Sequence, residues 1–254
     1  AAFPTHVKYM VPEDKHVDYI IINAAECEPY LTSDNRLLLE HTEEILIGIE
    51  IMKKAVKVDK AKIGIETNKP QAIVALKALV SKYPGTEVVP LKTKYPQGAE
   101  KQLIYALTKR EVPSGKLPIE VGCVVNNIGT AFAIYQAVQK NRPLIDNVLT
   151  YTGKKAEINK NLLVRVGTSI QSIIDFCGGL PEDTGKVING GPMMGKAMMD
   201  LSAPTTKTTS SILVMSEAES SRKKMTNCLR CGKCVSACPM GLEPIQIALL
   251  AKQE

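Results

Sequence analysis

Four of the seven cysteines, Cys228, Cys231, Cys234 and Cys238, are crowded into the run CLRCGKCVSACP (228–239). The spacing C-x2-C-x2-C-x3-C-P lets one tight loop offer three thiolates to a corner of an iron–sulfur cube, with backbone amides turned toward the sulfurs. The fourth cysteine of such a run serves the other cluster in two-cluster ferredoxins. Gly232 permits close backbone approach, and Pro239 is expected to turn the chain away. Zinc is the other metal that thiolates hold, but structural zinc usually takes two ligand pairs separated by a longer loop. The spacing therefore reads as iron–sulfur. If Cys228, Cys231 and Cys234 bind one cluster, its fourth ligand must come from a second cysteine run. None follows before Glu254, so the chain is expected to be a fragment. One cluster held by all four cysteines through a relaxed loop is the alternative. An odd cysteine count with four crowded thiols argues for metal in a reducing compartment rather than a disulfide framework. Cys27 is expected to be a packed thiol, and Cys123 and Cys177, in apolar segments, to be core.

The composition frames this site. Hydrophobic residues make up 44% of the 254 and charged residues 23%, which suits a chain with a real core and excludes a disordered one. Most of the net charge of +6 sits beside the cysteines, where Arg222, Lys223, Lys224, Arg230, Lys233 and Lys252 face only Glu243 and Glu254. Those cations offset cluster charge, steer an acidic partner, or form a solvated face. So local an excess, with 3 Phe and no Trp, argues against nucleic acid as a partner. No apolar run is long enough to cross a bilayer, and no secretory signal opens the chain. The expectation is a soluble polypeptide with any membrane contact peripheral.

Elements that must position chemistry come before the cysteines. DYIIINAAE (18–26), KIGIETN (62–68), TEVVPLK (86–92) and EVGCVVN (120–126) read as strands. Each is followed by a helical pattern, at 37–56, 70–83, 98–110 and 129–141. Strand and helix periods taking turns four times imply parallel βαβ units, with functional groups at the carboxyl ends of the strands. AAEC, ETNKP and VNNIG sit at three of those ends. After residue 143 the pattern changes to a strand–strand–helix–strand unit at 148–153, 162–169, 172–179 and 186–191. TKTTSS (206–211) reads as a polar linker and ILVMS (212–216) as an edge strand. No internal repeat is visible.

AAFPTHVKY (1–9), INAAECEPY (22–30), YPQGAEKQL (95–103) and VVNNIGTAF (124–132), in this order, resemble one family. It unites the soluble C component of the Rnf complex, a ferredoxin:NAD⁺ oxidoreductase, with the flavin-bearing, NADH-oxidising subunit of respiratory complex I. The resemblance covers essentially the whole chain; INAAECEPYLTSDNR, GGPMMG (190–195) and the cysteine run look most like the Rnf protein. It implies a Rossmann-like α/β domain for FMN and NADH over 1–143. A β-grasp (soluble-ligand-binding) domain is expected over 144–203, and a linker with the first half of a ferredoxin-like domain over 204–254. AAFPTHVK looks like the end of a glycine-rich loop over the flavin phosphate, whose glycines would precede Ala1. The resemblance places Lys8 at FMN and Phe3 at the nicotinamide. Asn23 and Glu26 fall at the flavin, and Glu28 at the NADH ribose. Tyr95, Gly98 and Glu100 lie on a second loop over flavin and nucleotide, and Asn126, Asn127 and Thr130 hydrogen-bond FMN. Glu28 and Glu100 are the expected catalytic pair, and the four crowded cysteines the metal ligands.

The residue types suit that chemistry on their own terms. A flavin phosphate needs amides, hydroxyls and a lysine. The flavin edge alternates donors and acceptors, which asparagine amides satisfy in both directions, and ribose hydroxyls take a carboxylate at a strand end. Ala25, Cys27 and Ala99 replace an acid, a glycine and a glutamate of the complex I pattern, so polar contacts are lost there. GGPMMG lacks the surroundings of a phosphate loop and reads as a turn packed toward the cluster domain. The expected function is a subunit, peripheral on the cytoplasmic face of the membrane, that exchanges hydride between NAD(H) and FMN and single electrons with [4Fe-4S] clusters. Two clusters are expected in the full-length protein, the other Rnf subunits as partners, and ferredoxin as the source of electrons. A flavin and iron–sulfur cobalamin reductase of bacterial microcompartments, or a non-enzymatic docking adaptor with a vestigial flavin site, are the alternatives.

Overall fold

The computed structural model describes residues 3–221, 226–238 and 241–251. It forms two compact units, Ala1–Ser220 and Ser221–Glu254. Ala1 and Ala2 of the first motif, the cations Arg222, Lys223, Lys224 and Lys252, and the expected turn at Pro239 lie outside the described residues. Among the described residues no helix is long and apolar enough to cross a membrane.

The first unit opens with a short helix α1 (Thr5–Tyr9). Then follow β1 (Tyr19–Ala24), α2 (Ser33–Glu40), α3 (Thr42–Ala55), β2 (Ala61–Glu66), α4 (Pro70–Leu79), β3 (Thr86–Leu91), α5 (Glu100–Thr108), β4 (Cys123–Asn127) and α6 (Ile128–Lys140). The strands pair in parallel in the order β3-β2-β1-β4. Ile20, Ile21 and Ile22 of β1 are fully buried, because helices cover both faces of the sheet. Ile20 and Ile22 pack with α2, α3, α4 and α6 on one face. Ile21 packs with Leu103, Ile104 and Leu107 of α5 on the other. Pro90 has no N–H to give a ladder, and it lies on β3, at the sheet's edge.

The four expected strand–helix pairs are all present. The helix expected over 37–56 is instead two. Thr42 Oγ1 donates to Leu38 O at 2.5 Å, and the His41 ring leaves the helical path to stack on Phe132 at 4.5 Å. A hydroxyl that bonds back to the carbonyl four residues earlier bends a helix, and here His41 separates α2 from α3.

The second sheet is built from β5 (Asp146–Thr152), β6 (Lys160–Arg165), β7 (Thr184–Asn189), β8 (Lys196–Ala197) and β9 (Ser211–Ser216). Helix α7 (Ile170–Phe176) comes between β6 and β7, with Ser169 Oγ accepting Ser172 N at 3.1 Å as its cap. Ile170, Ile173 and Ile174 of this helix bury against Leu149, Tyr151, Val187 and Val214, the packing expected of a β-grasp. The strand order is β6-β5-β9-β7-β8. β9 thus lies in the middle, parallel to β5 and antiparallel to β7, and not at an edge as expected. Its apolar run is as fully buried as that of β1, which pattern alone cannot distinguish from a half-covered edge. The unit ends with α8 (Glu217–Ser220). Cys123 and Cys177 are buried, and burial pushes both thiols up, Cys123 to about 11.

In the second unit α9 (Lys233–Ala237) and α10 (Pro244–Leu250) flank the end of the cysteine run.

Helices α3 and α6 meet at Gly48, where a Cβ would stand 2.0 Å from the carbonyl oxygen of Ala131. Alanine is the better helix former by about 1 kcal/mol, so the sign of Gly48→Ala is informative. We expect it to lower stability to urea by about 1–3 kcal/mol; a stabilised variant would show that the two helices do not pack this closely.

Candidate functional site

Strand order reverses between β1 and β4, since β2 continues to one side of β1 and β4 lies on the other. In a parallel α/β sheet that is where a crevice opens at the carboxyl ends of the strands. The register sets Asn23 opposite Asn127 there. A cavity of about 900 Å³ occupies the position, near the upper end of the range for ligand sites. Phe3, Asn23, Glu26, Glu28, Tyr95, Gly98, Glu100, Asn127 and Thr130 line it, so nine of the residues picked out by sequence meet at one cavity.

Five of these, Asn23, Gly98, Asn127, Glu26 and Glu28, are held by local devices. Asn23 Nδ2 donates to Gly98 O at 2.8 Å and its Oδ1 accepts Ala25 N at 3.1 Å, which fastens the 95–99 loop to the end of β1. Gly98 leaves room for this, since a Cβ would come within 3.3 Å of that amide. Asn127 caps α6, with Oδ1 accepting Gly129 N at 2.7 Å, and its Nδ2 donates to Asp34 Oδ2 at 2.7 Å. Glu26 stands at φ +42°, in the left-handed region that favours glycine. Its carboxylate accepts the amides of Asp34 at 2.7 Å and Asn35 at 3.2 Å in the first turn of α2, where negative charge is stabilised. Both oxygens of Glu26 are thus already engaged. Glu28 differs: Oε2 accepts Met193 N at 3.0 Å, while Oε1 is buried without a partner.

Lys8 and Asn126 stand behind the wall. Lys8 Nζ donates to Val125 O at 2.8 Å and pairs with Glu100 at 3.4 Å. Asn126 is buried and donates to Tyr9 Oη at 2.9 Å. Together they latch α1 onto β4. Burial drives the Tyr9 hydroxyl far above its ordinary range. Cys27, expected to be packed away, is half-buried and lines the cavity. GGPMMG is a turn, as expected, but it is set against Glu28: a Cβ on Gly191 would meet Glu28 Oε2 at 2.1 Å.

Three features carry weak sequence signals. Lys69, inside the ETNKP segment, is only 8% exposed. It donates to Ala25 O at 2.9 Å and pairs at 3.5 Å with Glu66, itself 1% exposed. Asp34 faces the cavity from α2. The opposite wall comes from the second sheet and its loops, with Asn147, Lys207, Thr208 and Ser210. No local pattern announces contacts between residues over a hundred positions apart.

Burial first, then the nearby charge of Asp34, pushes Glu26 up to about 7, against the lowering effect of the Asp34 amide, of Lys69 and of the Asn35 amide. Burial also raises Asp34, opposed by Asn127 and Lys69.

In the second unit Cys228, Cys231 and Cys234 are exposed and Cys238 is half-buried. Cys228 Sγ accepts Arg230 N at 3.3 Å and Cys238 Sγ accepts Leu242 N at 3.4 Å. Gly232, at φ +71°, supplies a left-handed turn within the run. Among the described residues no three cysteine, histidine or carboxylate side chains converge closely enough to hold a metal. The donor set, thiols with amides directed at the sulfur, is nevertheless that of an iron–sulfur loop.

The fold and the cavity define an α/β protein with a crevice at its topological switch point, the place where ligands bind in open sheets of this class. The family model of the Nuo51 FMN-binding domain matches residues 1–136, more than half of the chain, and the chain belongs to that family. A 4Fe-4S dicluster domain matches residues 193–243. The chain is similar to the C component of the proton-translocating ferredoxin:NAD(+) oxidoreductase complex of Clostridium ljungdahlii, with 49% identity over 100% of this chain and 55% of the relative. It is also similar to the Na(+)-translocating counterpart of Acetobacterium woodii, with 46% identity over 98% of this chain and 56% of the relative. The chain therefore spans about half the length of these relatives. A chain of NAD⁺-reducing [NiFe]-hydrogenase in the H2-reduced state shares the fold, with a TM-score of 0.69 and 20% identity over 84% of this chain and 43% of that one. The resemblance drawn from the motifs is borne out at the level of family.

FMN and [4Fe-4S] are the cofactors of these two domain families. The cavity fits a flavin nucleotide in volume and in the α6 N-terminus at its wall, while the amides of Asn23 and Asn127 are already engaged within the protein.

The raised Glu26 makes a pH prediction. Unfolded, it ionises near 4.5; folded, near 7. Its ionisation therefore costs stability progressively between those values, and the cost is complete above about pH 7. Glu26→Gln should gain on the wild type in urea unfolding as pH rises from 4.5 to 7, with a constant difference beyond. A difference that does not change with pH would show that Glu26 titrates normally.

Proposed function

We propose that the chain is the nucleotide- and electron-handling part of a peripheral subunit of an ion-translocating ferredoxin:NAD⁺ oxidoreductase. The observation that carries this reading is the switch-point cavity in a chain nearly half identical, over its full length, to the C component of such a complex. FMN and the cluster supply, when bound, the conversion of a hydride's two electrons into single ones, which neither nicotinamide nor an iron–sulfur centre achieves alone.

The protein's own residues bind and orient. Glu28 offers Oε1 to a ribose hydroxyl of NAD(H), the donor that this buried oxygen otherwise lacks. The capped N-terminus of α6 and Thr130 face the cavity, where an anionic phosphate is favourable. Asn23 and Gly98 fix the loop that carries Tyr95 and Glu100 over the site. Glu26, at about 7, is placed to hold or release a proton at its carboxylate near neutral pH. Lys8 serves FMN indirectly, by holding α1 and Glu100 in place. Cys228, Cys231, Cys234 and Cys238 are the cluster ligands. Association with the other subunits at the cytoplasmic face of the membrane completes the reading.

Full-length protein purified anaerobically should carry FMN, seen as yellow absorbance that NADH bleaches. With ferricyanide as acceptor, Glu28→Gln should lower kcat/KM for NADH by about tenfold or more, since hydrogen bonds to a charged group are among the stronger ones. Unchanged kinetics in that variant would remove the role assigned to Glu28.

A further inference from the structure

The segment that carries Glu28 is gripped from the second sheet. Thr32 N donates to Thr150 Oγ1 at 3.1 Å, and Thr32 Oγ1 donates to Asn161 Oδ1 at 3.1 Å. Ser33 Oγ donates to Ser210 O at 3.4 Å. The β7–β8 turn closes on Glu28 itself. Gly190, at φ +111°, and the bond from Gly195 N to Gly191 O at 2.8 Å make this turn tight. Gly191 lies outside the positive-φ region, so its backbone would accept an alanine without strain. What forbids a side chain is Glu28: a Cβ would meet its Oε2 at 2.1 Å, its Cδ at 2.6 Å and its Cβ at 2.8 Å. The missing side chain at 191 is therefore a space kept for a carboxylate 163 residues earlier in the chain.

The two oxygens of that carboxylate are then unequal. Oε2 is taken by the Met193 amide, and Oε1 is buried with no partner. A buried acceptor left so needs a donor from a ligand. Met194, on the same turn, lines the cavity beside Glu28 and Tyr95. The hydroxyl of Tyr95, an exposed residue, is raised by partial desolvation and then by the charge of Glu28, consistent with their closeness.

We propose that the Gly191–Met193 turn of the second sheet is a positioning element for Glu28. It occupies one carboxylate oxygen and closes off the space behind it, so that the other is presented as a fixed acceptor for a hydroxyl of the nucleotide. This rests on the reading that Glu28 meets the ribose of NAD(H), and extends it: the second sheet becomes part of nucleotide recognition rather than a docking module beside it. Neither Gly191 nor Met193 touches the reacting atoms. They act through Glu28.

The test uses full-length protein loaded with its cofactors, with NAD⁺ binding followed by calorimetry and NADH oxidation by ferricyanide reduction. Gly191→Ala should raise the Kd for NAD⁺ and the KM for NADH about tenfold, with kcat within about twofold and flavin content unchanged. A merely structural lesion would lower flavin content and kcat instead. Because Gly191→Ala acts through Glu28, adding it to Glu28→Gln should cost nothing further, the signature of two coupled positions. NAD⁺ affinity equal to wild type in Gly191→Ala, or a penalty that adds in full to that of Glu28→Gln, overturns the proposal. Should Gly191→Ala fail to fold, Gly191→Ala/Glu28→Gly must restore the fold, since the clash reaches that side chain as far as its Cβ; failure to restore it overturns the proposal as well. Wild-type protein that binds no NAD⁺ removes the reading of the site and this inference with it. A variant indistinguishable from wild type removes the inference alone.

Discussion

The ammonium of Lys69 is buried at the start of α4, donates to Ala25 O at 2.9 Å and lies 3.5 Å from the carboxylate of Glu66. Glu66 in turn accepts the amide of Lys94 at 3.1 Å. One ion pair thus cross-braces the loops leaving β1, β2 and β3, and those loops carry Glu26, Glu28 and Tyr95. A buried pair is weak evidence for added stability, because desolvation offsets the attraction. Breaking it, however, leaves an uncompensated charge, at a cost of about 3–5 kcal/mol. The pair is better understood as a constraint on geometry. It fixes where the carboxyl edge of the sheet ends and the cavity begins.

That constraint explains how acidic groups can stand together beside the cavity. Glu26 and Asp34 repel each other, yet each has a fixed set of donors: the α2 amides for Glu26 and Asn127 for Asp34. Lys69 offsets part of their charge from behind. The site thereby keeps a proton-holding carboxyl near neutrality without leaving it loose, an arrangement typical of functional clefts. The left-handed backbone at Glu26 is strain held in place by those same bonds.

Much of this is legible along the chain, for identifiable reasons. The four strand–helix alternations stand out because each strand is a short β-branched run, and each helix repeats its apolar positions at helical spacing. The carboxyl ends of parallel strands then point to Glu26 and Asn127 without any structure, while Asn23 and Glu28 are singled out by the family resemblance. The break at His41 is not legible, because it depends on a stacking partner in α6 some ninety residues away. The place of β9 is hidden because a buried run looks alike at an edge or a centre. Lys69 and Asp34 look like ordinary surface residues until the fold buries their partners. Lys8 and Asn126 are the converse: their types suit a ligand, but Val125, Glu100 and Tyr9 already occupy their polar groups.

The position of β9 has a consequence for how the chain is made. β5 and β7 are both complete before residue 190, yet each lacks a neighbour until residues 211–216 arrive between them. In the interval β5 and β6 form only a two-stranded ribbon, marginal in water, and two strand edges stand open to wrong pairing. At roughly 5–20 residues per second on the ribosome, that exposure lasts seconds. A nascent chain of this kind is most vulnerable to aggregation just before the central strand β9 emerges, so chaperone demand should peak in that window and fall sharply once the sheet closes.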